Sequence, residues 1–324
     1  MLLFACCFYR LFTPAAVKYG RRPNAASALA EVARLRGLNS GEFSYLLISA
    51  AERGFVSLRC ALMSYAAITR DDRNAIKRFL QRRRLNDAVE LAALHSRPRL
   101  IVDFGAGDGE LSRRLAAGLP AATIFCYEPA EDLRRQAADV VRGQEHVVLT
   151  SSIESLPDGR ADLVFCLEVF EHLPPEETAS ALADIDRLLA EEGLAVIGVP
   201  VEVFTPALAK GLLRMWRRWG AFDARPGNVL AAALGVPPRD RPTRQIAPGL
   251  SYYPHHTGFD FRRLRRQLAE RFDIEGEVCS PVPWLGAWFN SEIVFLARKR
   301  MLAARPHARR SAAGARLAPQ HVAG

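Results

Sequence analysis

Residues 99–119 read RLIVDFGAGDGELSRRLAAGL, three kinds of segment in immediate succession. The apolar run Leu100–Phe104 suits a strand buried on both faces. Glycines at 105, 107 and 109 follow it directly. Glycine lets the chain turn sharply and lets a ligand come close to the backbone. The stretch from Gly109 to Leu119 then has helical texture. A dinucleotide-binding loop would carry glycine or alanine at 110, where this chain has Glu110, and no Lys-Ser/Thr pair makes a phosphate loop. Phosphate is therefore not the favoured ligand. Asp103, at the end of the strand, would repel phosphate and suits a cationic amino-acid group. Glu128 ends the next apolar run, TIFCYEP (123–129), where an acid can accept both hydroxyls of a ribose.

The alternation continues along the chain. HVVLT (146–150), ADLVFCLE (161–168) and LAVIGVP (194–200) read as strands, with PEETASALADIDRLLAEEG as a helix between the last two. Leu182, Ile185, Leu188 and Leu189 give that helix one apolar face. Strand–helix alternation of this kind specifies an α/β fold, a mostly parallel sheet with helices on both sides. DIEGEVCS and SEIVFLARK close it, for seven strands in all. Residues 203–254 interrupt the alternation and read as an insertion over the carboxyl edge of the sheet. Residues 1–94 read as a helical N-terminal region, 95–300 as the α/β domain, and 301–324 as a disordered basic tail.

The net charge is +9, yet seven of the basic residues lie between Arg298 and the C-terminus with no acid among them. The body then carries about +2 (9 minus 7), which argues against a nucleic-acid partner. Six cysteines (6, 7, 60, 126, 166 and 279) form no C-x-x-C pair, and Cys126 and Cys166 fall inside strands as buried thiols. That pattern fits a cytoplasmic protein. The N-terminal MLLFACCFYRLFTPAAV is apolar but interrupted by Arg10 and Pro14, too short and broken to span a bilayer. It reads as a helix on the body or as an anchor peripheral to the inner face of the membrane.

VDFGAGDGE (102–110), the acidic YEP (127–129) and SIESLPDGRADLVFCLEVFEHL (152–173) together resemble the motifs of class I S-adenosylmethionine-dependent methyltransferases. The resemblance implies a Rossmann-like, doubly wound seven-stranded sheet and S-adenosylmethionine as cofactor. It implies that Gly105, Ala106 and Gly107 line the amino-acid end of that cofactor and that Asp103 holds this end. Glu128 would bind the ribose, Ile153 would offer backbone near the adenine, and Glu168 would face cofactor or acceptor. Where the family often has aspartate, this chain has Ser152.

CLEVFEHL (166–173) adds E-x-x-E-H, similar to metal-dependent members of the superfamily, the ubiquinone-pathway O-methyltransferases and small-RNA 2′-O-methyltransferases. That similarity implies a divalent ion, Mg²⁺, Mn²⁺ or Zn²⁺, held by Glu168, Glu171, His172 and a later histidine, His255 or His256. Two carboxylates with imidazoles suit such an ion. Without metal, Glu171 and His172 could cap the following helix, and His172 or His256 could serve as general base. The segment ALAKGLLRMWRRWGAF (207–222) interleaves Leu208, Leu212, Leu213, Met215, Trp216 and Trp219 with Lys210, Arg214, Arg217 and Arg218. It is expected to be a lid that buries its apolar side on the acceptor site, or a helix on an anionic bilayer. The expected function is methylation of an oxygen on a small-molecule or lipid/glycan acceptor. A metal-dependent RNA 2′-O-methyltransferase and a non-catalytic cofactor-binding partner subunit are the alternatives.

Overall fold

The computed structural model describes residues 75–95 and 97–300. The readings made for residues 1–74 and 301–324 lie outside these. Helix α1 (Ala75–Leu94) leads into β1 (Leu100–Phe104), α2 (Glu110–Gly118), β2 (Thr123–Tyr127), α3 (Glu131–Val140) and β3 (Val147–Thr150). Then come β4 (Ala161–Leu167), α4 (Pro175–Leu188) and β5 (Leu189–Pro200). The segment after β5 holds α5 (Phe204–Arg218), α6 (Pro226–Ala233) and a hairpin of β6 (Arg244–Ala247) with β7 (Leu250–Tyr252). Helix α7 (Phe261–Arg271), β8 (Phe272–Ser280) and β9 (Glu292–Lys299) complete the sheet.

The seven main strands lie in the order β3-β2-β1-β4-β5-β9-β8. β1 to β5 are parallel, and β9 runs antiparallel between β5 and β8. The order reverses between β1 and β4, so their carboxyl ends diverge there and leave the crevice in which such sheets bind ligands. Helices cover both faces, which is why the strands read as continuous apolar runs. In β4, Leu163 and Phe165 pack toward α1 and α2 with Leu85, Ala92, Leu111 and Leu115. Val164 and Cys166 point the other way, into a larger core with Leu182, Ile185 and Leu188 of α4 and Leu264 and Leu268 of α7. β5 begins at Leu189, earlier than the apolar run at 194, because Leu189 already pairs with Ala161 before a register shift.

Helix α5 corrects an expectation. Its apolar side is not buried on an acceptor site: Leu212, Trp216 and Trp219 are 55%, 74% and 70% exposed. The buried positions are Pro206, Ala207 and Gly211, and the inward-reaching long side chains are cations. Lys210 and Arg214 both donate to Glu202, at 3.0 Å and 2.9 Å, and Arg218 donates to Asp223. Glu202 and Asp223 are 1% exposed. A buried carboxylate without partners costs far more than an exposed leucine, so the acids fix which way the helix faces.

Candidate active site

The first β-turn-α unit forms one half of a cleft. The amides of Gly105 and Ala106 both donate to the Tyr127 carbonyl at 2.9 Å, which ties the glycine loop to the end of β2. Gly105 has φ +74°, and a Cβ there would meet Val169 at 2.6 Å, so turn and packing both require glycine. Gly107 donates to Glu128 Oε2 at 2.8 Å, and Ala130 donates to Glu128 Oε1 at 2.8 Å. Each carboxylate oxygen keeps a second lone pair for a ligand hydroxyl. Burial pushes the Glu128 carboxyl up to about 7. Asp103 accepts from Ser112 Oγ at 2.7 Å across the start of α2, and burial pushes it up to about 6.

Asp103, Gly105, Gly107 and Glu128 line a cavity of about 310 Å³, together with Ala106, Glu168, His172 and, from the hairpin, Ile246, Leu250 and Tyr252. Ile153 is not among its lining residues; its carbonyl accepts from Arg187 at 3.1 Å. Glu168, just past β4, has φ +58°, a conformation that a non-glycine residue adopts at a cost. Its carboxylate lies 3.5 Å from Arg84 of α1, which also pairs with Glu292.

A single 3₁₀ turn, Phe170–His172, follows Glu168. Glu171 within it is fully buried, and neither carboxylate oxygen has a hydrogen-bond partner among the described residues. Burial, and then the neighbouring Glu168, push its carboxyl well above the usual range. His172 Nδ1 donates to the Tyr253 carbonyl at 2.8 Å, and Tyr253 N donates back to the His172 carbonyl at 2.7 Å. A carbonyl only accepts, so the Nδ1 proton is fixed and His172 Nε2 carries the lone pair. Burial lowers the His172 pKa. The His256 ring stands edge-on to it, 4.7 Å between centroids, and burial lowers its pKa further.

One ligand atom each from Glu171, His172 and His256 lie within 4.8 Å of one another. Glu168 does not join this group, because its carboxylate is drawn toward Arg84. His255 is turned elsewhere, with Nδ1 3.7 Å from Asp223. His172 lines the cleft, whereas Glu171 and His256 are absent from its lining. The sequence reading missed Arg84, Glu202, Arg241 and the hairpin. Arg241 donates to the carbonyls of Glu171 (2.6 Å) and His255 and stacks on Tyr253 at 4.0 Å, so it ties the E-x-x-E-H turn to the paired histidines. The only local signal for the hairpin was turn chemistry, Pro248-Gly249 between short strand-like runs.

Residues 102–197 match the family described as a methyltransferase domain. Over this segment the chain carries a methyltransferase domain. It holds the glycine loop, Glu128 and the E-x-x-E-H turn. A malonyl-[acyl-carrier protein] O-methyltransferase of Geobacter sulfurreducens is 40% identical over 100 residues, 30% of this chain and 37% of that protein. The chain thus spans 37% of the length of the curated relative it matches. The PH0226 protein of Pyrococcus horikoshii is similar in structure with a TM-score of 0.46 and 14% identity, covering 73% of this chain and 96% of its own. The N-methyltransferase NodS of Bradyrhizobium japonicum, in complex with S-adenosylhomocysteine, gives 0.45 and 15%, covering 72% and 91%. Likeness of that degree says nothing of chemistry. No helix among the described residues is long and apolar enough to cross a membrane.

Proposed function

We propose that this chain is an enzyme that transfers a methyl group from S-adenosylmethionine to an oxygen of a small-molecule, lipid or glycan acceptor. The observation that carries the reading is His172: it lines the cleft while Nδ1 is locked to Tyr253, which leaves the lone pair on Nε2. A neutral imidazole held in one tautomer is suited to take a hydroxyl proton.

The cofactor supplies an electrophilic methyl on a positively charged sulfur. Asp103 and the Gly105-Ala106-Gly107 loop receive its amino-acid end. Glu128 would accept from the ribose hydroxyls, and Glu168, on the same cleft, would face cofactor or acceptor. His172 Nε2 would take the acceptor's proton as the acceptor oxygen takes the methyl from sulfur, with S-adenosylhomocysteine as the leaving group. Most of the acceleration comes from alignment of the two reactants. The β6–β7 hairpin acts as the lid, supported by Ile246, Leu250 and Tyr252 along the cleft. His256 holds the edge of the His172 ring and orients it.

His172→Ala should lower kcat by about 10²–10⁴, with calorimetric affinity for S-adenosylhomocysteine unchanged. Unchanged kcat would remove His172 from the chemistry. The rate should fall on acidification only below the ordinary histidine range, because burial holds the pKa low.

The three-donor group supports a second reading, a divalent ion held by Glu171, His172 and His256. The two carboxylate oxygens of Glu171 without partners fit such an ion. A set of one carboxylate and two imidazoles suits Mn²⁺ or Zn²⁺ better than Mg²⁺, which prefers oxygen. EDTA decides between the readings: it abolishes turnover if an ion is required, and proton transfer by His172 alone leaves turnover intact.

A further inference from the structure

The outward face of α5 has no use in the chemistry above. Leu208, Leu212 and Trp216 follow one another at i, i+4, and Trp219 comes three residues later, so the four form one stripe along the helix. All four are exposed. The stripe continues to the start of α5, where Phe204 stacks on Trp288 at 4.1 Å between centroids, and Leu230 of α6 and Leu234 just past its end are exposed too. Trp284, Trp288 and Phe289 of that neighbouring loop are exposed as well. Scattered apolar side chains on a surface need no explanation, but a contiguous patch of leucine and tryptophan marks an interaction site.

The charges around the patch identify the occupant. Between residues 203 and 238 the sequence has a single acid, Asp223, which is buried beneath α5 and accepts from Arg218. Residues 281–291 have no acid. Arg217 and Arg225 are exposed beside the patch, and neither has an ion-pair partner among the described residues. Leucines to enter the acyl boundary, tryptophans to sit at headgroup depth and arginines with no competing acid complement an anionic lipid surface. The inward face of α5 is already engaged through Lys210, Arg214 and Glu202, so the helix can bind by this stripe without unfolding from the body.

We propose that the outer face of α5, with α6 and the 284–289 loop, docks on an anionic bilayer. Docking does not depend on methyl transfer and is measured without cofactor or turnover. The full chain is floated with vesicles of phosphatidylcholine alone and of phosphatidylcholine mixed with phosphatidylglycerol. It should bind the mixed vesicles with a blue shift of tryptophan emission, and lose that binding in high salt. Trp216→Ser with Trp219→Ser should weaken it by ~10-fold or more, about 1.4 kcal/mol per tenfold, with far-ultraviolet circular dichroism and S-adenosylhomocysteine affinity unchanged. Arg217→Gln with Arg225→Gln should weaken it less. No binding by the native chain overturns the proposal. So does binding that the tryptophan pair leaves undiminished, since the anchor then lies elsewhere. Loss of self-association rather than of vesicle binding would assign the face to a second copy of the chain and overturn it too. Equal binding to both vesicle types would remove the role given to the arginines.

Discussion

Helices α4 and α5 are both amphipathic, and they face opposite ways. α4 buries Leu182, Ile185 and Leu188 against the sheet and leaves its acids toward solvent. α5 turns Lys210, Arg214 and Arg218 toward the protein and leaves Leu212, Trp216 and Trp219 outside. The rule that apolar faces go inward holds where the body offers an apolar wall. Beneath α5 the body offers Glu202 at the end of β5, and Asp223 from the turn that follows the helix. Burial alone would push the Glu202 carboxyl up, but Lys210 and Arg214 outweigh that and hold it below the usual carboxylate range. The penalty for leaving such a charge unpaired decides the orientation.

Glu202→Ala leaves two inward cations without their shared acid and should destabilise by about 3 kcal/mol or more, read as a fall in Tm. Because the folded pKa lies below the unfolded one, the contribution of Glu202 is present above the unfolded value. It disappears as pH falls through the folded one. The gap between the variant and the native chain should therefore narrow in acid. An unchanged Tm at neutral pH would mean that something other than the buried acid orients α5.

On α4 the equivalent test is Ile185→Ala, a fully buried side chain whose loss should cost about 2–5 kcal/mol with no pH dependence. A pH-dependent loss there would show that the two helices are not held by different forces.

The cofactor half offers a smaller effect with a defined sign. Burial holds Glu128 near 7, and ribose hydroxyls donate best to its ionised form. Affinity for S-adenosylhomocysteine should rise with pH up to about that value, approaching tenfold per unit, or about 1.4 kcal/mol, and level off above it. Titration calorimetry in two buffers of different ionisation heat should show proton release on binding below neutrality. No proton release would take Glu128 out of the ribose site.

The smallest effect belongs to the outer stripe of α5. Trp216→Ala should change Tm by no more than a surface substitution does, within about 0.5 kcal/mol. A large loss would mean that the tryptophan is covered in solution, and it would sharpen the question of by what.

The division between what was legible and what was not follows the range of the forces. Residues 99–119 carried the fold in their own order: a strand apolar on both faces, a glycine turn and a helix, repeated until the sheet was complete. Asp103, the 105–107 loop and Glu128 line one cleft because each lies at the end of a strand or directly after one, and strand ends in a parallel sheet share an edge. His172 was also visible, since the turn that carries it follows β4 without interruption. Tertiary structure alone decided the rest. Periodicity showed that α5 had two faces, but only Glu202 and Asp223 showed which one enters the protein. Glu168 looked equal to Glu171 in the sequence, and Arg84, far away in the chain, pulled it out of the three-donor group. The pairing of His172 with His256 depends on Tyr253 and Arg241, whose partners are distant carbonyls. Local sequence encodes local geometry. It does not encode which buried charge a distant segment will be obliged to neutralise.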